Sequence, residues 1–346
     1  SSTWQHIQTD TTCHCSPMAL PPLVVATARE GWRWQWRQLM QGLGPADAEG
    51  RYQRPASDRM DVLIPDRSGL KLRTDAERPR LVIGRSCPWA HRTWLMHRLR
   101  RLEGTLTLLM ATADHRAGRW SLVPAWLGCE SLLALYQHCG TPPHHRATVP
   151  ALIDPGMGAE PTPQLLGNDS AALTETLNQW PGGDGAMDLA PAALEPGIQR
   201  WLQLLQPAVN DGVYRCGFAR TQKAYDEAST ALFSALEEVE AALQHQGPWL
   251  CGAQPTIADV CLFPTLIRWE LVYAPLFGCN AQPLWMFPAL WSWRQSFYDL
   301  PGVAETCDGE AWRADYFGAL FPLNPGGIIP AGPDLCTLIK SSPALP

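Results

Sequence analysis

The segment Ser86-Cys87-Pro88-Trp89-Ala90-His91-Arg92 sets the tightest limit on what this chain can fold into. It follows Leu81-Val82-Ile83, a short apolar run that reads as buried strand. It opens a helical pattern in which Leu95, Leu99 and Leu102 recur at i, i+4 and i+7. Cys87 therefore sits where a strand hands over to a helix. Pro88 suits the first helical position, where its missing N–H would have had no intrahelical partner. The thiol then faces unpaired N–H groups and the positive end of the helix dipole, which favours thiolate, the nucleophilic form. Arg85 and Arg92 are close enough in sequence to add to that pull, so Cys87 is expected to titrate below a free thiol. Where a C-x-x-C motif carries its second thiol, this chain has Ala90. A lone reactive thiol on this scaffold suggests exchange with an external thiol. The competing reading is an inert buried Cys, a common fate for that residue.

Composition narrows the rest. A chain of 346 residues is long enough for two domains. No apolar run approaches the ~20 residues that span a bilayer, and Ser1–Gln8 lacks a signal pattern, so no membrane is expected. The net charge of −6 without a basic block argues against nucleic acid. An odd count of 11 Cys at irregular spacings does not resemble a disulfide framework, which points to reducing cytoplasm. Sixteen Trp suit a core and also a site for flat apolar ligands. Cys13-His14-Cys15 has the look of half a metal cluster with no second half, and no metal is expected.

The chain divides by pattern. Residues 1–78 read as an irregular extension with one helical stretch, Glu30 to Gly42. Residues 79–180 read as mixed α/β: the Leu81–Ile83 strand, a helix from Pro88 to Leu102, a strand from Thr105 to Met110, a helix from Cys129 to His138, a strand from Val149 to Ile153, and a helix from Asn168 to Trp180. Asp154 to Gly167 and 181–197 are rich in Pro and Gly and read as loop and linker. Residues 198–318 read as helical, with an apolar stripe through Tyr225, Ala228, Leu232, Leu236, Val239 and Leu243. Thr256-Ile257-Ala258-Asp259 has the form of a capping box. It opens a helix to about Ala274 that is apolar nearly all round and should be central. Residues 319–346 read as an extended tail. A Cys at a strand–helix junction, followed by an all-helical half, suggests an α/β thioredoxin-like domain plus an all-α domain. Thr148-Val149-Pro150, an X-Pro before a strand, is a candidate cis peptide beside Cys87.

At these residues the chain resembles the glutathione transferases, and within them the xi class, the glutathionyl-hydroquinone reductases. The resemblance rests on Cys87-Pro88-Trp89-Ala90-His91-Arg92-Thr93, Thr148-Val149-Pro150, and Asn210-Asp211-Gly212-Val213-Tyr214 with Gly217-Phe218-Ala219. It continues in Thr221-Gln222, Ala224–Glu227, Arg268 with Val272-Tyr273, Pro301–Thr306, Tyr316-Phe317 and Asn324–Ile329. These motifs run in order from about Tyr52 to Pro333. Two departures stand out: Asp169-Ser170 where the family usually has Glu-Ser, and Trp120-Ser121-Leu122 where it has Trp-x-Phe.

The resemblance implies glutathione as co-substrate and a glutathionyl-hydroquinone, an aromatic quinol conjugate, as substrate. Cys87 would take the glutathione, and Tyr214 or Tyr316 would bond the ring hydroxyl, unless they are ordinary core tyrosines. Trp120, Arg119, Val149 and Pro150 would contact glutathione. Asp169 and Ser170 would hold its γ-glutamyl end, a role compatible with plain helix capping. Tyr273 and Arg268 are further candidates, with Arg268 also open to a structural role. The resemblance also implies a homodimer. Two other activities fit the same residues: an omega-like thiol transferase, and an aromatic-ligand-binding homologue without turnover.

Overall fold

A computed structural model of the chain describes residues 21–55, 62–65, 67–115 and 117–341. Its centre is the strand–helix junction that the sequence announces. β1 (Arg80–Gly84), buried from Leu81 onward, leads into the Pro88–Leu99 helix, with Cys87 in extended backbone as the N-cap residue. Around β1 stand β2 (Thr107–Asp114), β3 (Arg119–Trp126), β4 (Cys129–Ser131), β5 (Ala151–Asp154) and β6 (Gln164–Gly167), in the order β4-β3-β2-β1-β5-β6. β1 and β2 are parallel, with Leu81 opposite Leu108, and every other pairing is antiparallel. The Pro88–Leu99 helix packs against β1 and against the Ser170–Asn178 helix.

Several expected boundaries shift. The second strand runs on to Asp114, and the segment after it forms β3, which Pro124 disguised because proline reads against strand. Cys129 to His138 is not one helix: Cys129–Ser131 is β4, and Ser131 then caps a helix over Leu132–His138. The insert read as loop contains β6, whose Leu165 and Leu166 are buried. In the tail, a Leu335–Lys340 helix docks on the Pro288–Tyr298 helix.

The helical half is built from the helices Glu195–Leu205, Gly212–Gly217, Gln222–Gln246, Ile257–Leu266, Pro288–Tyr298 and Gly309–Ala319. The Thr256/Asp259 capping box forms as expected, with Asp259 Oδ2 accepting from Thr256 N at 2.8 Å. By length and composition Ile257–Phe277 is apolar enough to span a bilayer, contrary to the sequence expectation. It has a mean hydropathy of 1.3, but 78% of its most apolar stretch is buried inside the protein, as in a core helix. This helix does not run evenly to Ala274. A wider turn over Trp269–Tyr273, closed by Ala274 N to Trp269 O, interrupts it and rotates the Ala274–Phe277 turn beyond.

The N-terminal segment is not a loose extension. Its helix spans Pro22–Leu43, and residues 44–55 lie along the helical half. Arg220 donates to Met40 O and Gly44 O, Arg51 pairs with Glu227 at 2.7 Å, and Arg54 pairs with Asp211 at 3.0 Å.

Candidate active site

A cleft of about 320 Å³ opens where the sheet meets the helical half, with Cys87 lining it. The Cys87 thiol lies 3.6 Å from the carbonyl of Val149, to which it donates, and the Val149–Pro150 peptide is cis. Asp169 caps the Ser170–Asn178 helix, its Oδ1 accepting from Ala171 N at 3.1 Å and Ala172 N at 2.9 Å, and Ser170 stands beside it on the cleft wall. Trp120 closes the opposite side. Its ring lies over Gly84, where an added Cβ would come within 2.5 Å of it, so only glycine ends β1 without displacing the indole. Cys87, Trp120, Val149, Pro150, Asp169, Ser170 and Tyr214 thus meet in one cleft.

Arg119 does not join them. It is exposed at the first position of β3 and does not line the cleft, because neighbours on a strand point to opposite faces and Trp120 takes the inward one. Tyr316 is 8% exposed and Tyr273 fully buried, and neither lines the cleft. They stand behind Tyr214 in a row: Tyr214 and Tyr316 hydroxyls are 2.6 Å apart, Tyr316 and Tyr273 hydroxyls 3.2 Å. Burial holds all three phenols above their ordinary value, Tyr214 and Tyr316 well above, so each keeps its proton at neutral pH. Arg268 is fully buried as well, which excludes it as a substrate contact.

The electrostatics of Cys87 differ from expectation. Burial pushes the thiol up, and it outweighs the opposing pull of the Ala90 and Trp89 amides, Arg268 and Arg54. Neither flanking arginine supplies the expected help. Arg85 is turned out to Asp308 at 3.1 Å, and Arg92 donates to Gln206 Oε1 at 2.9 Å.

Sequence reasoning missed Arg54, Arg146 and the role of Trp89, all on the cleft wall. Two guanidinium groups lie over the Trp89 indole, Arg54 at 3.4 Å and Arg92 at 4.5 Å from its centroid, and the indole stacks with Tyr214 at 6.0 Å. Arg54 comes from the segment read as irregular, where no periodicity points to a site. The groups described hold no set of three His, Cys, Asp or Glu suited to a metal, and Cys13-His14-Cys15 lies outside the described residues.

A sheet with a cysteine at its strand–helix junction, a neighbouring cis-proline and an all-helical second half defines a glutathione transferase of the thiol-bearing kind. Residues 222–296 match the family model for the glutathione S-transferase C-terminal domain. The glutathionyl-hydroquinone reductase YqjG of Escherichia coli is 32% identical over 302 residues, covering 82% of this chain and 89% of that protein. Its glutathione-bound structure superposes with a TM-score of 0.65 over 75% of this chain and 86% of that one. The glutathionyl-hydroquinone reductase PcpF of Sphingobium chlorophenolicum is 33% identical over 270 residues, 75% of this chain and 84% of that one. The crystal structure of the glutathione S-transferase Xi from Phanerochaete chrysosporium gives a TM-score of 0.73 at 28% identity, covering 84% of this chain and 95% of that one. The chain belongs to the glutathionyl-hydroquinone reductase family, within the glutathione transferases of the xi class.

Proposed function

We propose that this protein reduces glutathionyl-hydroquinones to hydroquinones with glutathione as co-substrate, Cys87 carrying the glutathione between two steps. The observation that carries this reading is the thiol of Cys87 and the protonated Tyr214 lining one cleft, with the Tyr316 and Tyr273 hydroxyls in a row behind Tyr214. In the first step the Cys87 thiolate attacks the sulfur of the conjugate. The S–S bond forms and the ring C–S bond breaks, its electron pair passing to the ring carbon. That carbon takes the proton of Tyr214. Tyr316 then donates to the Tyr214 oxygen, and Tyr273 to Tyr316, spreading the charge along the row. Hydroquinone leaves. In the second step glutathione returns its thiol proton to the tyrosine row and its thiolate attacks the mixed disulfide, releasing glutathione disulfide and the Cys87 thiolate. The ring carbon is reduced by two electrons as the conjugate's thioether sulfur and one glutathione thiol become a disulfide, so no second protein cysteine is required.

The remaining residues position the substrates. Val149 offers backbone pairing to the extended glutathione chain, with Pro150 fixing the loop. Asp169 and Ser170 face its ammonium and carboxylate, and Trp120 packs on its flank. The Tyr214 and Trp89 rings, one beside the other, suit a flat quinol. A homodimer in a reducing cytoplasm completes the proposal; it rests on the family likeness and on the free, irregularly spaced cysteines. Because Cys87 sits above its ordinary value, the first step should accelerate as pH rises through the alkaline range, where thiolate accumulates. Stopped-flow reduction of glutathionyl-menadiol between pH 6 and 10, with intact-mass detection of a glutathione adduct on Cys87, tests both parts. A rate falling with pH, or turnover without adduct, would overturn it.

A further inference from the structure

The Arg268 guanidinium is an unusual buried group. It is fully buried, and no carboxylate pairs with it among the described residues. Its partners are neutral. Nη1 donates to Pro264 O at 2.8 Å and to His91 Nδ1 at 2.9 Å, and the group lies 4.1 Å over the Trp312 ring. A bare buried cation is costly, so the fold holds it for a reason.

Its contacts bracket the reactive turn. Trp312, which Arg268 stacks on, donates its indole N–H to Arg85 O at 3.0 Å, two residues before Cys87. His91, which Arg268 bonds directly, lies one helical turn after Cys87, its N–H bonded to Cys87 O at 3.0 Å. Guanidinium can only donate, so His91 Nδ1 must accept. The ring proton is therefore on Nε2, which donates to Thr306 Oγ1 at 2.7 Å, while Thr306 donates on to Val303 O at 2.6 Å. Every bond in this chain is satisfied only if His91 is neutral, and burial together with Arg268 holds its pKa well below the ordinary value. The histidine therefore bonds the arginine to the turn without adding charge of its own, and Arg268 Nη2 also reaches the turn directly, donating to Arg85 O at 3.5 Å.

We infer that Arg268 is a positioning residue whose uncompensated positive charge, held beneath the Cys87 turn by neutral His91 and Trp312, stabilises the anions that form at Cys87 and along the tyrosine row. Arg268 never touches substrate. Its charge acts on groups on both sides of the reaction, opposing the burial of Cys87, Tyr273 and Tyr316 alike. The other groups acting on Cys87 are Arg54, which helps the anion across the cleft, and Tyr214 and Tyr273, which stay neutral until turnover.

The test reads Cys87 directly, so it stands apart from the reductase reading on which the turnover prediction rests. Iodoacetamide alkylation of Cys87 is followed by mass spectrometry against pH in the parent, Arg268→Lys and Arg268→Met. The Met variant should shift the alkylation midpoint upward by about one unit or more, and Lys, which keeps the charge, by less than half of that. Glutathionyl-menadiol turnover should follow the same order, with kcat falling and the glutathione KM little changed. A folded Met variant that alkylates with the parent profile overturns the inference, whatever its turnover. Should Met fail to fold, the imidazole NMR of the parent decides. His91 should stay neutral in the Nε2–H form from pH 5.5 to 8.5, and protonation within that range, or the Nδ1–H form, overturns the arrangement.

Discussion

Among the described residues, Arg268 and Arg294 are both fully buried and each lies over a tryptophan, yet they stand in opposite electrostatic settings. Arg294 lies 4.2 Å over Trp291 and pairs with Glu270 at 2.7 Å, with Leu266 O accepting at 3.1 Å. Arg268 lies 4.1 Å over Trp312 and meets only neutral acceptors. The region around Arg294 ties the core helices together, and its charge is cancelled where it sits. Nearby Asp259 does similar work, accepting from Trp293 Nε1 at 2.8 Å and Leu250 N at 3.1 Å. The region around Arg268 underlies a thiol and three phenols, and its charge is left to act on them. A cancelled buried charge marks architecture; an uncancelled one beside ionisable groups marks chemistry.

The sharpest way to break this contrast is to remove the nucleophile. Cys87→Ser should lower glutathionyl-menadiol reduction by roughly a thousandfold or more, since serine is a far weaker nucleophile toward sulfur. The melting temperature should hardly move, because the side chain is half-buried and makes one weak bond, to Val149 O. Retained activity would move the chemistry away from this region altogether.

The opposite pattern is expected on the architectural side. Arg294→Met leaves the Glu270 carboxylate largely buried without its partner and should cost about 3 kcal/mol of stability. Activity per folded molecule should stay near the parent level. Calorimetry beside a rate normalised to active thiol separates the two. A stable but slow Arg294→Met would mean that both arginines serve the site and that the contrast fails.

Tyr214→Phe should be milder, slowing kcat by about ten- to a hundredfold, because a proton donor is lost while ring stacking on Trp89 remains. Tyr316→Phe should cost less, since that hydroxyl acts only through Tyr214. If the two were equal, or Tyr316 the larger, the row would not run in the direction drawn from the cleft inward.

The sequence exposed one side of this contrast better than the other, for physical reasons. Cys87, Val149-Pro150 and Asp169-Ser170 were legible because each marks a backbone event, a strand–helix junction, an X-Pro turn or a helix cap, that local chemistry dictates. Arg268 was legible as a residue, but the sequence left substrate contact and a structural role both open. On a helix that is apolar nearly all round, nothing local says which face a lone arginine takes, and the wider turn over Trp269–Tyr273 shifts the helical register immediately after it. Arg119 and Trp120 both read as glutathione contacts, though strand alternation admits only one to the cleft. Arg54 was invisible because its position depends on long-range pairs, Arg51 with Glu227 and its own bond to Asp211. The N-terminal segment reads as irregular alone and becomes a cleft wall only against the helical half.

The smallest expected effect concerns Asp169, which belongs to both sides of the contrast. Its Oδ1 accepts both cap bonds, from Ala171 and Ala172, which is architecture, while its position on the cleft wall makes it available to a substrate ammonium. The two roles separate by substitution. Asp169→Asn keeps an accepting oxygen, so the helix end should lose little, whereas Asp169→Ala should lose about 1 kcal/mol as the cap is removed. If the carboxylate also holds glutathione, both variants should raise the glutathione KM by a few fold with kcat nearly unchanged, since a half-exposed charge pair is worth about 1 kcal/mol or less. Thermal melts beside glutathione titrations of the two variants decide it. Were the Asn variant to match the parent in KM, the carboxylate would be a cap and nothing more. The γ-glutamyl end would then depend on Ser170 and the positive end of its helix, and the methylene by which Asp169 departs from the family would cost the site nothing.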